Sequence, residues 1–124
     1  MLGSSNIVAF APTRDAKKAQ KFYESVLGLK LISKDKFALE FDANGTMLRV
    51  ASVPKYTPYP FTILGWGVRD IAKTVAGLTK KGVEFQQYGM PGQDERGVWT
   101  SPSGAKVAWF KDPDGNVLSV TQFD

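Results

Sequence analysis

The chain has 124 residues, enough for one domain with its own core, and its 43% hydrophobic and 23% charged residues are ordinary for a globular protein. It has no cysteine, which excludes disulfides, thiolate nucleophiles and zinc–thiolate sites, and no histidine, which removes the commonest metal ligand and the usual general base near neutral pH. The net charge of +4 is spread over scattered lysines and reads as a solvated basic surface with a mild pull on small anions; no helix-turn-helix, zinc-finger or RNP-like motif points to nucleic acid.

The opening Met-Leu-Gly-Ser-Ser-Asn lacks a basic stretch leading into a long apolar core, and no run approaches the length of a membrane span. The expectation is a cytoplasmic chain with no membrane partner. Residues 6–11 read as a strand closed by Pro12. Thr13 or Asp15 then caps a helix over about 16–27, with Ala16, Ala19, Phe22, Tyr23, Val26 and Leu27 at the three-to-four spacing of a buried face and Gly28 as its natural stop. Residues 29–33 form a short strand. Residues 37–42 and 46–53 form a hairpin around Ala43-Asn44-Gly45. The proline-rich 54–60 is a linker between modules at about 1–53 and 61–124.

The order then repeats. Residues 61–68 read as a strand, Asp70 starts a helix with Ile71, Val75 and Leu78 on its buried face, and Gly82 ends it. Residues 83–88 alternate like a strand, 89–97 form a polar, glycine-bearing loop, and 98–100 pair with 106–110. Asp112-Pro113-Asp114-Gly115 turns into the last strand, 117–122, by a clear mechanism: Pro113 fixes φ, Asp114 can bond its own backbone, and Gly115 tolerates positive φ. Arg14-Asp15 matches Arg69-Asp70 at an offset of 55 residues, and Asp42 and Gly45 match Asp112 and Gly115 at an offset of 70. Each half therefore reads as strand, helix, strand, strand, strand, an internal duplication whose second copy has the longer middle loop.

This βαβββ duplication, with Phe22-Tyr23 ahead of Val26-Leu27-Gly28-Leu29 and Asp112-Pro113-Asp114-Gly115-Asn116 near the C-terminus, resembles the vicinal oxygen chelate superfamily of glyoxalases, extradiol dioxygenases and bleomycin-resistance proteins. The resemblance spans nearly the whole chain. It implies an α+β fold of two tandem βαβββ modules, with cupped mixed sheets, helices on their convex faces and a small-molecule ligand in the concavity. It also implies a homodimer, as in many members. The family's enzymes hold a divalent metal with His, Gln or Glu on the first and fourth strand of each module. The matching positions here are Val8, Arg49, Ile63 and Ser119. None is a good ligand, so no metal or other cofactor is expected, and glyoxalase or ring-cleaving chemistry by the family's mechanism is not expected either.

Strand alternation supplies a candidate ligand site. Ser119 and Thr121 share one face of the last strand, and Met47 and Arg49 share the matching face upstream. Ile63, Gly65 and Gly67 share a face on the fifth strand, where the two glycines imply either close approach of a ligand or a bulge. Arg49 could bind a carboxylate or phosphate, or it could pair with Glu40 and only shape the cup. Trp99 and Trp109 are wall candidates, whereas Trp66 falls under the helices. Tyr56, Tyr59 and residues 93–96 could form a rim or lid. Of three functional readings, one is a regulatory or interaction module with a vestigial cup, and two assign the cup a chemistry. One is a metal-independent binder of an anionic or aromatic small molecule. The other is a lyase, isomerase or dioxygenase-type enzyme with a displaced carboxylate metal site, or with metal-free acid–base catalysis by Glu40 or a tyrosine.

Overall fold

Two aspartates start the two helices in the same way. Asp15 (φ −146°, ψ 94°) accepts the Lys18 backbone N–H at 3.1 Å, and Asp70 (φ −137°, ψ 94°) accepts that of Lys73 at 3.1 Å. Each thereby satisfies a donor that the first helical turn leaves without a partner. The computed structural model describes residues 1–123, in two units that meet between Thr57 and Pro58.

The first unit, after a short 3₁₀ turn at Leu2–Ser4, runs β1 (Val8–Thr13), α1 (Ala16–Gln20), β2 (Lys30–Lys34), β3 (Ala38–Ala43) and β4 (Thr46–Ser52). The second runs β5 (Thr62–Gly67), α2 (Ile71–Lys80), β6 (Trp99–Thr100), β7 (Lys106–Lys111) and β8 (Val117–Gln122). The two sheets share one topology, β1-β4-β3-β2 and β5-β8-β7-β6. In each, the first strand pairs parallel with the last, and the remaining pairs are antiparallel. The chain is thus an α+β protein of two tandem βαβββ modules. Each helix packs on one face of its own sheet, α1 against β3 and β4, α2 against β7 and β8. Beneath them lie Tyr23, Phe41, Leu48 and Val50 in the first module and Phe110, Leu118 and Val120 in the second, all essentially solvent-free.

Four expectations need correction. First, β1 does not stop at Pro12 but passes through it to Thr13. It is an edge strand, so the missing proline N–H costs no ladder bond. Second, the helix over 16–27 is α only as far as Gln20; Lys21–Val26 continue it as a π-helix, and Leu27 N–H donates to Phe22 C=O, five residues back, at 2.9 Å. The wider turn accompanies close aromatic packing: Phe22 lies edge-on to Tyr23 at 5.3 Å, and Tyr23 tilts against Phe41 at 5.9 Å.

Third, residues 83–88 are not a strand. Only Gln86 N–H reaches a neighbouring strand, at Trp109 C=O (2.8 Å). Val83 N–H bonds Leu78 C=O at the end of α2 (3.0 Å), and further bonds come from the side-chain amide of Gln93. Its oxygen accepts Tyr88 N–H at 2.8 Å, and its nitrogen donates to the carbonyls of Gln86 at 2.9 Å and Gly97 at 3.0 Å. One side chain thus stands where a neighbouring backbone would pair. Fourth, the two hairpin turns differ. Asn44 (φ 51°) and Gly45 (φ 94°) make a two-residue turn closed by the Ala43–Thr46 pair. The second turn is one residue longer: Asp112 N–H bonds Asn116 C=O, and its carboxylate accepts Asp114 N–H, Asn116 N–H and Asn116 Nδ2–H.

Candidate functional site

With one face of each sheet covered by its helix, the other presents the remaining side chains. In the first module the register aligns Phe10, Arg49, Glu40 and Ser33 in one row across all four strands. Arg49 Nη1 donates to Glu40 Oε2, and Ser33 Oγ donates to Glu40 Oε1 at 2.6 Å. The serine bond first, then the Arg49 hydrogen bond and charge, hold the Glu40 carboxyl below its ordinary range. Glu40 is therefore a weak base, and much of the Arg49 charge is already balanced. Arg49 and Glu40 thus pair with each other, the contact that the sequence offered as one alternative. Glu40, Met47, Ile32 and Asp42 line a shallow hollow of about 260 Å³ on this face.

The second module builds its open face differently. Gly65, Ser119 and Trp109 form the row equivalent to Phe10, Arg49 and Glu40, and Gly67, Thr121, Val107 and Trp99 form the next. A Cβ at Gly65 would lie 2.6 Å from Ser119 Oγ, so glycine there makes room for the hydroxyl. A Cβ at Gly67 would only touch the Phe123 ring, at 3.7 Å. The sheet also carries a bulge between Thr62 and Leu64, which takes Ile63 out of the pairing register. Trp66 pairs with Val120 on the helix-covered face.

Aromatic rings wall this floor. Trp99 and Trp109 lie 6.1 Å apart at 36°, and Tyr88 meets Trp109 at 5.5 Å and 67°. Trp99 Nε1–H donates to Pro91 C=O at 3.1 Å, which anchors the loop over 89–97 to the wall. Tyr88 escaped the sequence reading because 83–88 resembled a strand. The longer second turn also shifts β7 by one residue, so Trp109 takes the place that Glu40 has in the first module. The sequence offset of 70 would have matched Trp109 with Leu39, on the helix side. The structure thus gathers Gly65, Gly67, Ser119, Thr121, Trp99 and Trp109 on one module's face, and Met47, Arg49 and Glu40 on the other's. Ile63 sits in the bulge.

The four positions matched to the family's metal ligands do not suit a divalent cation. Val8 and Ile63 offer no donor atom, the Arg49 guanidinium has no lone pair, and Ser119 is a lone hydroxyl. Among the described residues no group of three Asp or Glu side chains converges either. A cavity of about 670 Å³ lies on the helix side of the second module between α2 and residues 83–96, with Val75, Val83 and Phe85 among its walls. Thr79, Glu84, Gln87, Glu95 and Arg96 are also part of its lining. No helix among the described residues is long and apolar enough to cross a membrane.

Residues 6–120 match the sequence profile of the Glyoxalase/Bleomycin resistance protein/Dioxygenase superfamily. No curated protein sequence matches the chain. Among solved structures it resembles TnmS3, an antibiotic binding protein from Streptomyces sp. CB03234, at 24% identity over 100% of this chain and 99% of that one, with a TM-score of 0.77. It also resembles a member of the same superfamily from Sphaerobacter thermophilus DSM 20745, at 24% identity over 94% and 96% of the two chains, with a TM-score of 0.72. A third relative is a glyoxalase family protein from Enterococcus faecalis, at 18% identity over 98% and 100%, with a TM-score of 0.73. With the paired modules, the matching sheet topologies and a profile match covering nearly its whole length, the chain belongs to the Glyoxalase/Bleomycin resistance protein/Dioxygenase superfamily.

Proposed function

We propose that this protein binds a small aromatic molecule on the open face of its second module, without the metal centre that the superfamily's enzymes use. The observation that carries this reading is the aromatic wall of Trp99, Trp109 and Tyr88 beside a floor of Gly65, Gly67, Ser119 and Thr121. Flat apolar surface beside a few polar groups is the ordinary chemistry of small-molecule sites. The unsuitable donor set at Val8, Arg49, Ile63 and Ser119 supports the metal-free part. The fold likeness to an antibiotic binding protein agrees with a binder but does not name the ligand. The enzyme reading has less support, since Glu40, its first candidate base, is held ionised by Ser33 and Arg49. The homodimer and a cytoplasmic setting remain part of the proposal.

The test combines elemental analysis with fluorescence. The protein is incubated with Mg, Mn, Fe, Ni and Zn and desalted, and tryptophan emission is then titrated with planar aromatics. Saturable quenching that is lost in Trp109→Ala, with no metal retained, supports the reading. One metal retained per chain would put the enzyme reading first.

A further inference from the structure

Beside the aromatic wall the open face of the second module carries the lysine Lys111. Lys111 follows Trp109 on the same side of β7 and is paired with Val117 of β8. With Tyr59, Tyr88, Pro58 and Val117 it lines a cavity of about 330 Å³, the size of an ordinary small-ligand site. Tyr88 therefore both packs on Trp109 and lines this cavity. Tyr59 is fixed in turn by stacking on Phe61, at 5.1 Å and 14°. Pro58 is held against the second turn, where a Cβ at Gly115 would come within 3.3 Å of its ring. Unlike Arg49, whose charge Glu40 balances, the Lys111 ammonium has no acceptor among the described residues.

We infer that this cavity is an acid subsite, in which Lys111 receives the carboxylate of a planar aromatic acid whose ring lies along Tyr88 and Trp109. The inference rests on the aromatic-binding reading and narrows it to aromatic acids. A lysine is a compact point charge with three donors, suited to a single carboxylate. The net charge of +4 would bring such anions in faster, but it would do so for any surface lysine, so position has to be tested apart from charge.

The experiment titrates 2-naphthoate and its neutral isostere 2-naphthamide into the wild type, Lys111→Gln and Lys106→Gln, following tryptophan emission at low and at high salt. Lys106 lies on the same strand with the opposite side-chain parity, so its replacement removes the same charge away from the cavity. The wild type should bind the acid on the order of fivefold more tightly than the amide, as expected for a partly exposed ion pair. Lys111→Gln should erase that preference, and Lys106→Gln should retain it. Equal binding of acid and amide by the wild type, or equal loss of preference in both variants, would overturn the acid subsite and leave aromatic binding standing. Failure of both compounds to bind would overturn the aromatic-binding reading, and the subsite with it.

Discussion

At the scale of single residues, the most informative contact is that of Glu40 with Ser33 and Arg49. The folded state lowers the Glu40 pKa, so its contribution to stability is complete above the ordinary carboxylate value of about 4 and is lost as pH falls through the folded value. Asp35 behaves alike, because its carboxylate accepts the backbone N–H groups of Phe37 at 2.8 Å and Ala38 at 3.0 Å. Urea unfolding of the wild type and Glu40→Gln from pH 7 to pH 3 should therefore show a stability gap that narrows toward acid; a gap independent of pH would contradict the assignment. Gly65 gives a second prediction. Gly65→Ala forces the Ser119 hydroxyl to move and should cost about 1 kcal/mol in urea unfolding. Adding Ser119→Ala should recover most of it, because the 2.6 Å contact with Oγ is then gone and the remaining contacts, Ser119 O at 3.5 Å and Cβ at 3.9 Å, are ordinary. Additive losses would mean that the cost lies elsewhere. The sequence disclosed the small residues at 65 and 119, since alternation alone puts both on one face. It did not disclose their contact, which depends on a bulge that no residue type at 62–64 announces.

Among the elements, Gln93 has the clearest testable role. Its amide makes three bonds, two that tie Gln86 and Tyr88 to the loop and one to Gly97 within it, and Gln93→Ala leaves two carbonyls and one N–H to find water. The expected cost is about 1–3 kcal/mol, with faster hydrogen exchange at the Tyr88 amide and weaker quenching by aromatic ligands, because Tyr88 loses its anchor. Unchanged exchange at Tyr88 would show that the loop is held by other contacts. This element also marks the limit of reading the sequence. Val-Glu-Phe-Gln-Gln-Tyr alternates as a half-buried strand does, and nothing local reveals that its partner is a side chain seven residues on. The hairpins and helices were legible because their signals are local: aspartate caps, Asn44-Gly45, Asp112 through Gly115 and the stripe of Ala19, Phe22 and Tyr23. The π-helical turn was not, since widening a helix changes which residues bond but not which face is apolar.

For the whole molecule, duplication makes a quantitative statement. Leu48 and Leu118 lie at the repeat offset of 70 residues, pair at matching positions of β4 and β8, and are 1% and 0% exposed. Leu48→Ala and Leu118→Ala should each cost about 2–5 kcal/mol by urea unfolding followed by circular dichroism, and similarly, because both leave the same kind of void beneath a helix. A large difference would mean that the two cores have diverged in how well they collapse. The open faces have plainly diverged: where one module has an arginine and a glutamate, the other has a serine and a tryptophan, through a turn one residue longer. The same freedom exists in the Gln93 splice. Adding one residue within a paired strand turns every later side chain to the wrong face. Adding one at 89–90, outside every strand and ahead of the bond from Thr100 N–H to Gly92 C=O, leaves β6, β7 and β8 in register. This segment of the second copy can therefore change length across generations without disturbing the sheet it borders, and the rim around the aromatic wall is where such a protein would acquire new ligands most cheaply.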